Sequence, residues 1–351
     1  MIFITCSGQY AAHWGGDNES VWSYLRFSIS QSFSFGLFGI PFFGADVCGF
    51  NKNTTEEMCS RWTQLGSFFP FYRNHNTKTT IAQEPYVWDS VAETSKNSIE
   101  LRYTLLPYYY TLLAHSHLFD GLPVMRASSW VFPYDESLFG LDSQFFIGDA
   151  LLVVPALLSG VSNVSGTFPG LDKDEIYYNW YDKKVFNNTN VVQTLDAPLN
   201  GDVPLFVRGG FVLPLQDPGY TISKSRVNPF RLVAALDADG NASGDLFLDD
   251  GESPLDSNYE GNYRNVEFQV VDGGLLTVGA SGNYKVGDDV VLESVTVLGV
   301  TKKPDNVVFT YAGDKTGNRI TSFDYHNTTL VISGLGNYTD GAFNRNFTLS
   351  W

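Results

Sequence analysis

Charged side chains are scarce in this sequence, and basic side chains are the scarcest. Lys and Arg number 22 among 351 residues, against 38 Asp and Glu, so the formal net charge is −16. The sequence contains no cluster of Lys and Arg that would neutralise a row of phosphates, which excludes nucleic acid as a partner. An acidic, sparsely charged surface favours a neutral substrate.

Long apolar runs are also missing. No stretch of 18 apolar residues occurs, so the sequence predicts no membrane span. The apolar residues that follow Met1 are too few for a signal peptide, and no basic segment accompanies them. Aromatic residues, in contrast, make up 15% of the chain. Aromatic-rich chains are common among carbohydrate-active proteins, although most rings in any protein belong to the core.

Cysteine and histidine are few. The three cysteines are Cys6, Cys48 and Cys59. The last two are eleven residues apart and could close a loop, which would leave Cys6 without a pairing partner in this sequence. His115 and His117 are two apart on a predicted helix, so they point to different sides and cannot chelate one ion. We therefore predict neither a metal site nor a cofactor.

Asn-x-Ser/Thr sequons are numerous. Eight occur, and Asn18 is set aside because it lies within a motif described below. The seven glycosylation candidates are Asn53, Asn163, Asn187, Asn241, Asn327, Asn337 and Asn346. Most lie in turn-like segments, which favours a secretory history and a secreted, extracellular or cell-wall location. A secreted chain needs a signal peptide, which we expect upstream of Met1.

The first 120 residues alternate between strand and helix signals. Apolar residues at helical spacing predict a helix from Val21 that ends near Gly36, followed by a buried strand over 38–45 that opens on Asp46. A capping-box signature over 54–57 begins a second helix, and a third helical stretch over 91–119 contains Pro107, which would divide it.

This alternation is typical of a β/α barrel, whose functional residues follow its strands. About two complete units are present, whereas a barrel has eight.

From residue 123 the chain reads as short β runs separated by Gly, Asn and Asp, which predicts antiparallel sandwiches. The expected fold is therefore α/β plus all-β, with three domains. Residues 1–122 would be the C-terminal part of a (β/α)8 barrel, 123–216 a proximal β-sandwich and 217–351 a distal β-sandwich. The second boundary is placed at the Pro218-Gly219 turn.

A histidine, a tryptophan and a carboxylate converge between His13 and Asp17. The paired glycines before Asp17 permit a tight turn, which would place its carboxylate at the edge of a cleft. The alternative is that Asp17 or Asn18 merely caps the helix that follows.

Four segments extend this motif into a recognisable pattern, and four shorter ones continue it. The segments are Gly8–Asn18, Gly39–Phe50, Asn53–Gly66, Phe69–Asn76, Leu101–Tyr110, Gly148–Pro155, Val207–Gly210 and Phe247–Ser253. Together they closely resemble glycoside hydrolase family 31, and in particular its maltase-like, secreted eukaryotic α-glucosidases. The resemblance covers about residues 7–275.

The resemblance implies a retaining mechanism with two carboxylates. Asp17 matches the family's general acid/base, whose pKa a dry aromatic setting beside Trp14 would raise. Asp46 and His75 match residues that hydrogen-bond sugar hydroxyls, and Trp14 and Phe50 match pocket walls. The alternatives are that His75 is an ordinary loop histidine and that Phe50 is ordinary core.

Cys48 and Cys59 match a family disulfide that closes the loop carrying Phe50. Such a loop closure is worth roughly 3 kcal/mol of unfolding free energy. The alternative is two reduced structural cysteines. By the same resemblance, endoplasmic reticulum glucosidase II is disfavoured, because it typically has Gly where Cys48 stands and Ala where Asn76 stands.

Two family residues have no counterpart here. The nucleophilic aspartate lies upstream of the region present, and the position of a sugar-binding arginine falls on Met1. We therefore expect a fragment that is inactive alone and whose partner is the missing N-terminal part. Within the complete enzyme the expected reaction is hydrolysis of terminal α-1,4-linked glucose from oligosaccharides such as maltose. The alternative is a non-catalytic carbohydrate-binding or structural remnant or subunit.

Overall fold

The computed structural model describes residues 11–186, 190–253, 262–271 and 274–351, and it divides the chain into two units. Unit 1 comprises residues 1–102, 115–172 and 188–206, and unit 2 comprises residues 103–114, 173–187 and 207–351. Among the described residues, no helix is both long and apolar enough to cross a membrane.

Unit 1 begins with short parallel strands alternating with helices, as the sequence predicts. Its elements up to residue 102 are β1 (His13–Trp14), α1 (Trp22–Leu37), β2 (Phe43–Gly44), β3 (Asp46–Val47), α2 (Glu56–Gly66), β4 (Arg73–Asn74) and the start of α3 (Asp89–Thr104), with a 3-10 turn at Pro85–Val87. Strand β1 pairs in parallel with β2, and β3 pairs in parallel with β4. The strand expected over 38–45 is therefore shorter, and a separate strand, β3, begins at Asp46.

Helix α2 shows how the local sequence sets the structure. The side chain of Thr55 accepts a hydrogen bond from Met58 N, which caps the first turn. Trp62 and Leu65 are fully buried, as the predicted apolar face requires. Glu57 does not complete a capping box, because its carboxylate accepts hydrogen bonds from the Ser159 hydroxyl and from the Gly160 backbone N–H.

Buried Arg61 is the main polar tie between α2 and the later part of unit 1. Its guanidinium donates to the carbonyl oxygens of Val161, Ala197 and Pro198 at 2.9, 2.8 and 3.2 Å. Burial lowers the pKa of Arg61, and the nearby Glu57 carboxylate opposes that shift. The Ala197 residue is buried, so its carbonyl has no water to bond if the guanidinium is removed.

The remaining elements of unit 1 are short. They are the C-terminal part of α4 (Leu106–Leu118), β5 (Met125–Arg126), α5 (Ser128–Val131), a 3-10 turn at Glu136–Leu138, β6 (Phe145–Ile147), β7 (Leu151–Val153), β8 (Asn163–Thr167), β10 (Val192–Asp196) and the start of β11 (Leu205–Arg208). Antiparallel pairing joins β5 to β6, β6 to β7 and β8 to β10. The predicted division of the long helix is confirmed, since α3 ends and α4 begins around Leu105, just before Pro107.

Unit 2 is dominated by one eleven-stranded sheet. Its elements are β9 (Tyr177–Asn179), β12 (Phe211–Gln216), α6 (Ile222–Ser225), β13 (Phe230–Ala235), β14 (Ala242–Leu248), β15 (Arg264–Val271), β16 (Leu275–Gly282), β17 (Leu292–Leu298), β18 (Val307–Tyr311), β19 (Asn318–Ile320), β20 (Phe323–His326), β21 (Thr329–Ile332), a 3-10 turn at Leu335–Asn337 and β22 (Phe347–Ser350). The strand order in the sheet is β19-β18-β22-β16-β15-β14-β12-β13-β17-β21-β20.

The sheet explains the apolar pattern of the last 140 residues. Alternate side chains of β15 are buried from Arg264 to Val270. One of them, Phe268, packs against Phe343 in the core of the unit. Pairing is antiparallel except where β12 meets β14 and β13 meets β17. The prediction of purely antiparallel sheets is therefore wrong for these two pairs.

The expected boundary at residues 216/217 also differs from the sheet. Strand β12 pairs with β13 along its full length, from Phe211 opposite Ala235 to Gln216 opposite Phe230. The Pro-Gly turn is part of the connection between these two neighbouring strands and is not a linker. Residues 211–216 therefore share the sheet of the segment predicted as the distal domain.

We predict that Arg61→Ala lowers the stability of unit 1 by at least about 2 kcal/mol, because it removes three hydrogen bonds of a buried guanidinium and leaves the buried Ala197 carbonyl without a donor. A drop in the urea midpoint, followed by tryptophan fluorescence, measures the loss. The control is Lys96→Ala, which removes an exposed cation from α3. Equal midpoints for the two variants would contradict the role given to Arg61.

Candidate active site

The predicted site residues follow three parallel strands of unit 1. Asp17 comes three residues after β1, Phe50 three residues after β3, and His75 directly after β4. Because the pairs β1–β2 and β3–β4 are parallel, the carboxyl ends of the strands meet at one edge. In a β/α barrel this edge carries the functional side chains.

Asp46 is fully buried at this edge and is held by side chains from both neighbouring segments. Arg73 Nε donates to Asp46 Oδ1 at 3.0 Å, and Arg73 Nη2 donates to the same oxygen. The amide of Asn18 binds the Asp46 backbone on both sides, donating to its carbonyl at 3.0 Å and accepting from its N–H at 3.2 Å. Asp46 thus connects the segments that carry Asp17 and His75.

Burial raises the pKa of the Asp46 carboxyl above its ordinary value, and the Arg73 guanidinium opposes that shift. The charges of His75 and Asp17 also act on this pKa, His75 lowering it and Asp17 raising it, so both groups lie within electrostatic reach. Asp46 Oδ2 is buried and accepts no hydrogen bond from the described residues. A buried oxygen without a donor is one that a sugar hydroxyl would satisfy.

The alternative reading of Asp17 and Asn18 as helix caps is wrong. The N-cap of α1 is Val21, which makes no side-chain capping bond. Asn18 is 2% exposed and commits its amide to the Asp46 backbone. The same burial leaves no room for a glycan on this sequon.

Asp17 itself is exposed, and the described residues do not enclose it. The backbone carbonyl of Asp17 accepts a hydrogen bond from the Asn51 side-chain amide at 3.2 Å. This bond involves the backbone and does not occupy the carboxylate. Trp14 is 43% exposed, and the Arg73 guanidinium lies 6.0 Å from the centre of its ring. The dry aromatic setting expected for Asp17 is therefore not formed within the described part of the chain.

Phe50 and His75 face each other, with ring centroids 5.1 Å apart. Phe50 is half-buried and His75 is exposed, so neither ring is part of the interior. This ring contact argues against the two alternatives, that Phe50 is ordinary core and that His75 is an ordinary loop histidine. Their contact with a sugar stays a prediction.

The loop that carries Phe50 is fixed by a disulfide between Cys48 and Cys59, whose Cα atoms are 4.5 Å apart. This confirms the predicted pairing, while Cys6 lies outside the described residues. Gly49 has φ +89°, and a Cβ there would come within 2.5 Å of the Ser20 backbone. Only glycine permits this close approach.

Gln83 is a site residue that the sequence reading missed. Its buried amide Nε2 lies within 3.0–3.3 Å of the Val47, Gly49 and His75 carbonyls and of the Asn74 side chain. It thereby joins the loop after β3 to the loop after β4, which carry Phe50 and His75. An isolated Gln in a polar segment gives no sequence signal for such a role.

Metal-binding geometry is not found in the described ranges, where no group of three His, Cys, Asp or Glu side chains converges. Of the glycosylation candidates, Asn187 lies outside those ranges. Five others are exposed, namely Asn53, Asn163, Asn327, Asn337 and Asn346, and Asn241 is half-buried.

Comparison with known proteins agrees with this arrangement. Residues 2–112 match the glycosyl hydrolase family 31 TIM-barrel domain, and residues 121–213 match the family 31 C-terminal domain. The chain belongs to glycosyl hydrolase family 31.

Similar family 31 proteins include fungal enzymes. "Glucoamylase 1" of Schwanniomyces occidentalis is 53% identical over 98% of this chain and 35% of its own length. "Alpha-glucosidase" of Aspergillus niger is 46% identical over 98% of this chain and 34% of its own length. This family 31 chain thus spans about a third of the length of the curated relatives it matches.

The solved structures lead to the same family. The glucosidase II alpha subunit, in a Glc1Man2-bound structure, superposes with a TM-score of 0.86 at 30% identity, covering 97% of this chain and 38% of that one. The family 31 assignment therefore extends over both units.

We predict that the stability of Arg73→Met falls as pH rises from about 4 to 7. Without the guanidinium, burial raises the Asp46 pKa further, so the folded state keeps a proton that the unfolded chain releases near pH 4. Each additional unit of pKa costs roughly 1.4 kcal/mol above that window. Urea midpoints measured across the range report the slope.

The matched control is Arg73→Met combined with Asp46→Asn, which has no carboxyl to titrate and should lose the added slope. Parallel pH profiles for the wild type and Arg73→Met would show that Arg73 does not stabilise the ionised carboxylate.

Proposed function

We propose that this chain supplies the general acid/base of a retaining α-glucosidase that removes terminal α-1,4-linked glucose from oligosaccharides such as maltose. The observation that carries the proposal is the position of Asp17. It stands exposed at the carboxyl edge of the strands, and its charge acts on the pKa of buried Asp46, as the charge of His75 does. The names of the relatives, glucoamylase and alpha-glucosidase, support the substrate class.

Each site residue has a distinct part in the proposed reaction. Asp17 would protonate the glycosidic oxygen as the bond to the anomeric carbon breaks, and its carboxylate would then take a proton from the attacking water. Asp46 Oδ2 and His75 would hold hydroxyls of the terminal glucose. The rings of Trp14 and Phe50 would contact the faces of the sugar.

A retaining reaction also needs a nucleophilic carboxylate about 5 Å from the acid/base. The carboxylate that the structure brings near Asp17 is Asp46, which is buried and bound to Arg73. An acceptor that is held by a cation and withdrawn from the surface is a poor nucleophile. We therefore propose that the nucleophile comes from a further part of the enzyme, completing a barrel of eight strands.

Secretion belongs to the same proposal. The disulfide between Cys48 and Cys59 favours an oxidising compartment. Exposed sequon asparagines such as Asn163 and Asn327 are accessible to glycosylation. Together they support a secreted or cell-wall glycoprotein.

In the enzyme that contains this chain together with the remainder of the barrel, we predict that Asp17→Ala lowers maltose hydrolysis about 10³-fold or more, because glucose leaves poorly without protonation. An activated aryl α-glucoside should lose much less, because its leaving group needs no proton. Added azide should restore turnover of the aryl substrate by attacking the glycosyl-enzyme in place of activated water. Initial rates on both substrates test this.

Asp172→Ala, which changes an exposed carboxylate elsewhere in unit 1, is the control and should retain normal rates. Equal losses on both substrates without azide rescue would remove Asp17 from the acid/base role. If the complete enzyme binds maltose but hydrolyses neither substrate, the chain is instead part of a non-catalytic sugar-binding protein.

A further inference from the structure

A cleft of about 630 Å³ opens in unit 2, away from any residue assigned a role above. It is lined by the connection that follows β13, by the connection between β17 and β18, and by the segment where Gly274 meets Trp351. Its volume lies within the range of sites that bind small ligands. All of its lining residues belong to the same unit.

The floor of the cleft is apolar and rigidly supported. Leu236, Val270 and Val300 line it and are buried. The hydroxyl of buried Tyr178 donates to the Leu236 carbonyl at 2.7 Å and braces the floor from below. Gly299 has φ +91°, and a Cβ there would lie 2.3 Å from the same hydroxyl, so this backbone approach requires glycine.

Trp351 forms a half-exposed aromatic wall of the cleft. Its backbone N–H donates to the Gly274 carbonyl at 2.9 Å. A Cβ on Gly274 would lie 2.8 Å from the indole Cδ1 and Nε1, so the missing side chain lets the ring sit where it does. Within the described ranges, the indole N–H donates no hydrogen bond and is left for a ligand.

The rim of the cleft is polar, and its side chains together carry no net charge. Lys302 and Lys303 contribute two positive charges, and Asp239 and Asp305 contribute two negative charges. All four side chains are exposed, and none forms an ion pair within the described part of the chain. A site built for an anion would show an excess of cations, whereas this rim offers hydrogen-bond donors and acceptors in equal measure.

We propose that this cleft binds a neutral oligosaccharide, specifically an α-1,4-glucan. The Trp351 ring would stack on the apolar face of one glucose unit, the buried floor would exclude water, and the rim would bind hydroxyls through Lys302, Asp305 and Asn306. The choice of α-glucan rests on the proposed function, whereas the site for a neutral sugar rests on the cleft itself. Its role is to hold a glucan chain on the protein without cleaving it.

The test is binding of maltoheptaose to the 351-residue chain by isothermal titration calorimetry, with cellohexaose and pyrophosphate as comparison ligands. Maltoheptaose should bind, and Trp351→Ala should weaken it about tenfold or more, as expected for a tryptophan anchor. Trp351→Phe should retain part of the affinity. Gly274→Ala, which displaces the indole without removing it, should weaken binding as well.

Two controls separate the cleft from other surfaces. Tyr220→Ala removes a fully exposed ring of unit 2 outside the cleft and should leave the affinity unchanged. Trp14→Ala changes the candidate active site instead, so a binding event that it removes and that Trp351→Ala leaves intact belongs to that site. Failure of the proposed hydrolysis and failure of this proposal are thereby distinguishable. Unfolding midpoints establish that each variant is folded.

Several results would overturn the proposal. These are no maltoheptaose binding up to about 10 mM, binding that survives both Trp351→Ala and Gly274→Ala, and binding that is lost in Trp14→Ala instead. Pyrophosphate binding that depends on Lys302 and excludes the sugars would show an anion site. Preference for cellohexaose with the same dependence on Trp351 would keep the neutral-sugar site and overturn the α-glucan assignment.

Discussion

The Asp46–Arg73 ion pair links the parts of the candidate site. Asp46 has no exposed surface, and its backbone is bound by Asn18 while its carboxylate is bound by Arg73. Removing Arg73 would leave the fully buried Asp46 carboxylate without its cation, which is costly. The strand ends that carry Asp17 and His75 are therefore held in register by one residue. The exposed side chains around it need not supply that stability themselves.

Much of the site was predictable, because its residues occur in contiguous motifs. The segment around Asp17, the strand that includes Asp46 and the two loops that contain Phe50 and His75 were all located from sequence. The cap at Thr55 and the break in the long helix before Pro107 were predictable from local chemistry. Such features depend on neighbours within a few residues, which is the range that a sequence pattern reports.

The features that were missed depend on contacts distant in sequence. Gln83 joins two loops that begin about 36 and 9 residues before it, and nothing in its neighbourhood marks it. The boundary expected after Gln216 stays a prediction, and the Pro-Gly turn beside it joins two paired strands, because such a turn occurs equally in a linker and between paired strands. The role of Glu57 was likewise decided by a loop about 100 residues away. Local propensity cannot distinguish these cases.

The two carboxylates of the site have opposite environments, and this difference supports the roles proposed for them. Asp17 is exposed and free to exchange a proton with a leaving group and with water, which a general acid/base must do twice in each cycle. Asp46 is buried, its ionised form is favoured by Arg73 and opposed by burial, and one of its oxygens awaits a donor. That oxygen suits a fixed hydrogen bond to a hydroxyl, whose geometry does not change during the reaction. Exchanging the two proposed roles would require Asp46 to leave Arg73, so the ion pair favours the proposed division between sugar binding and proton transfer.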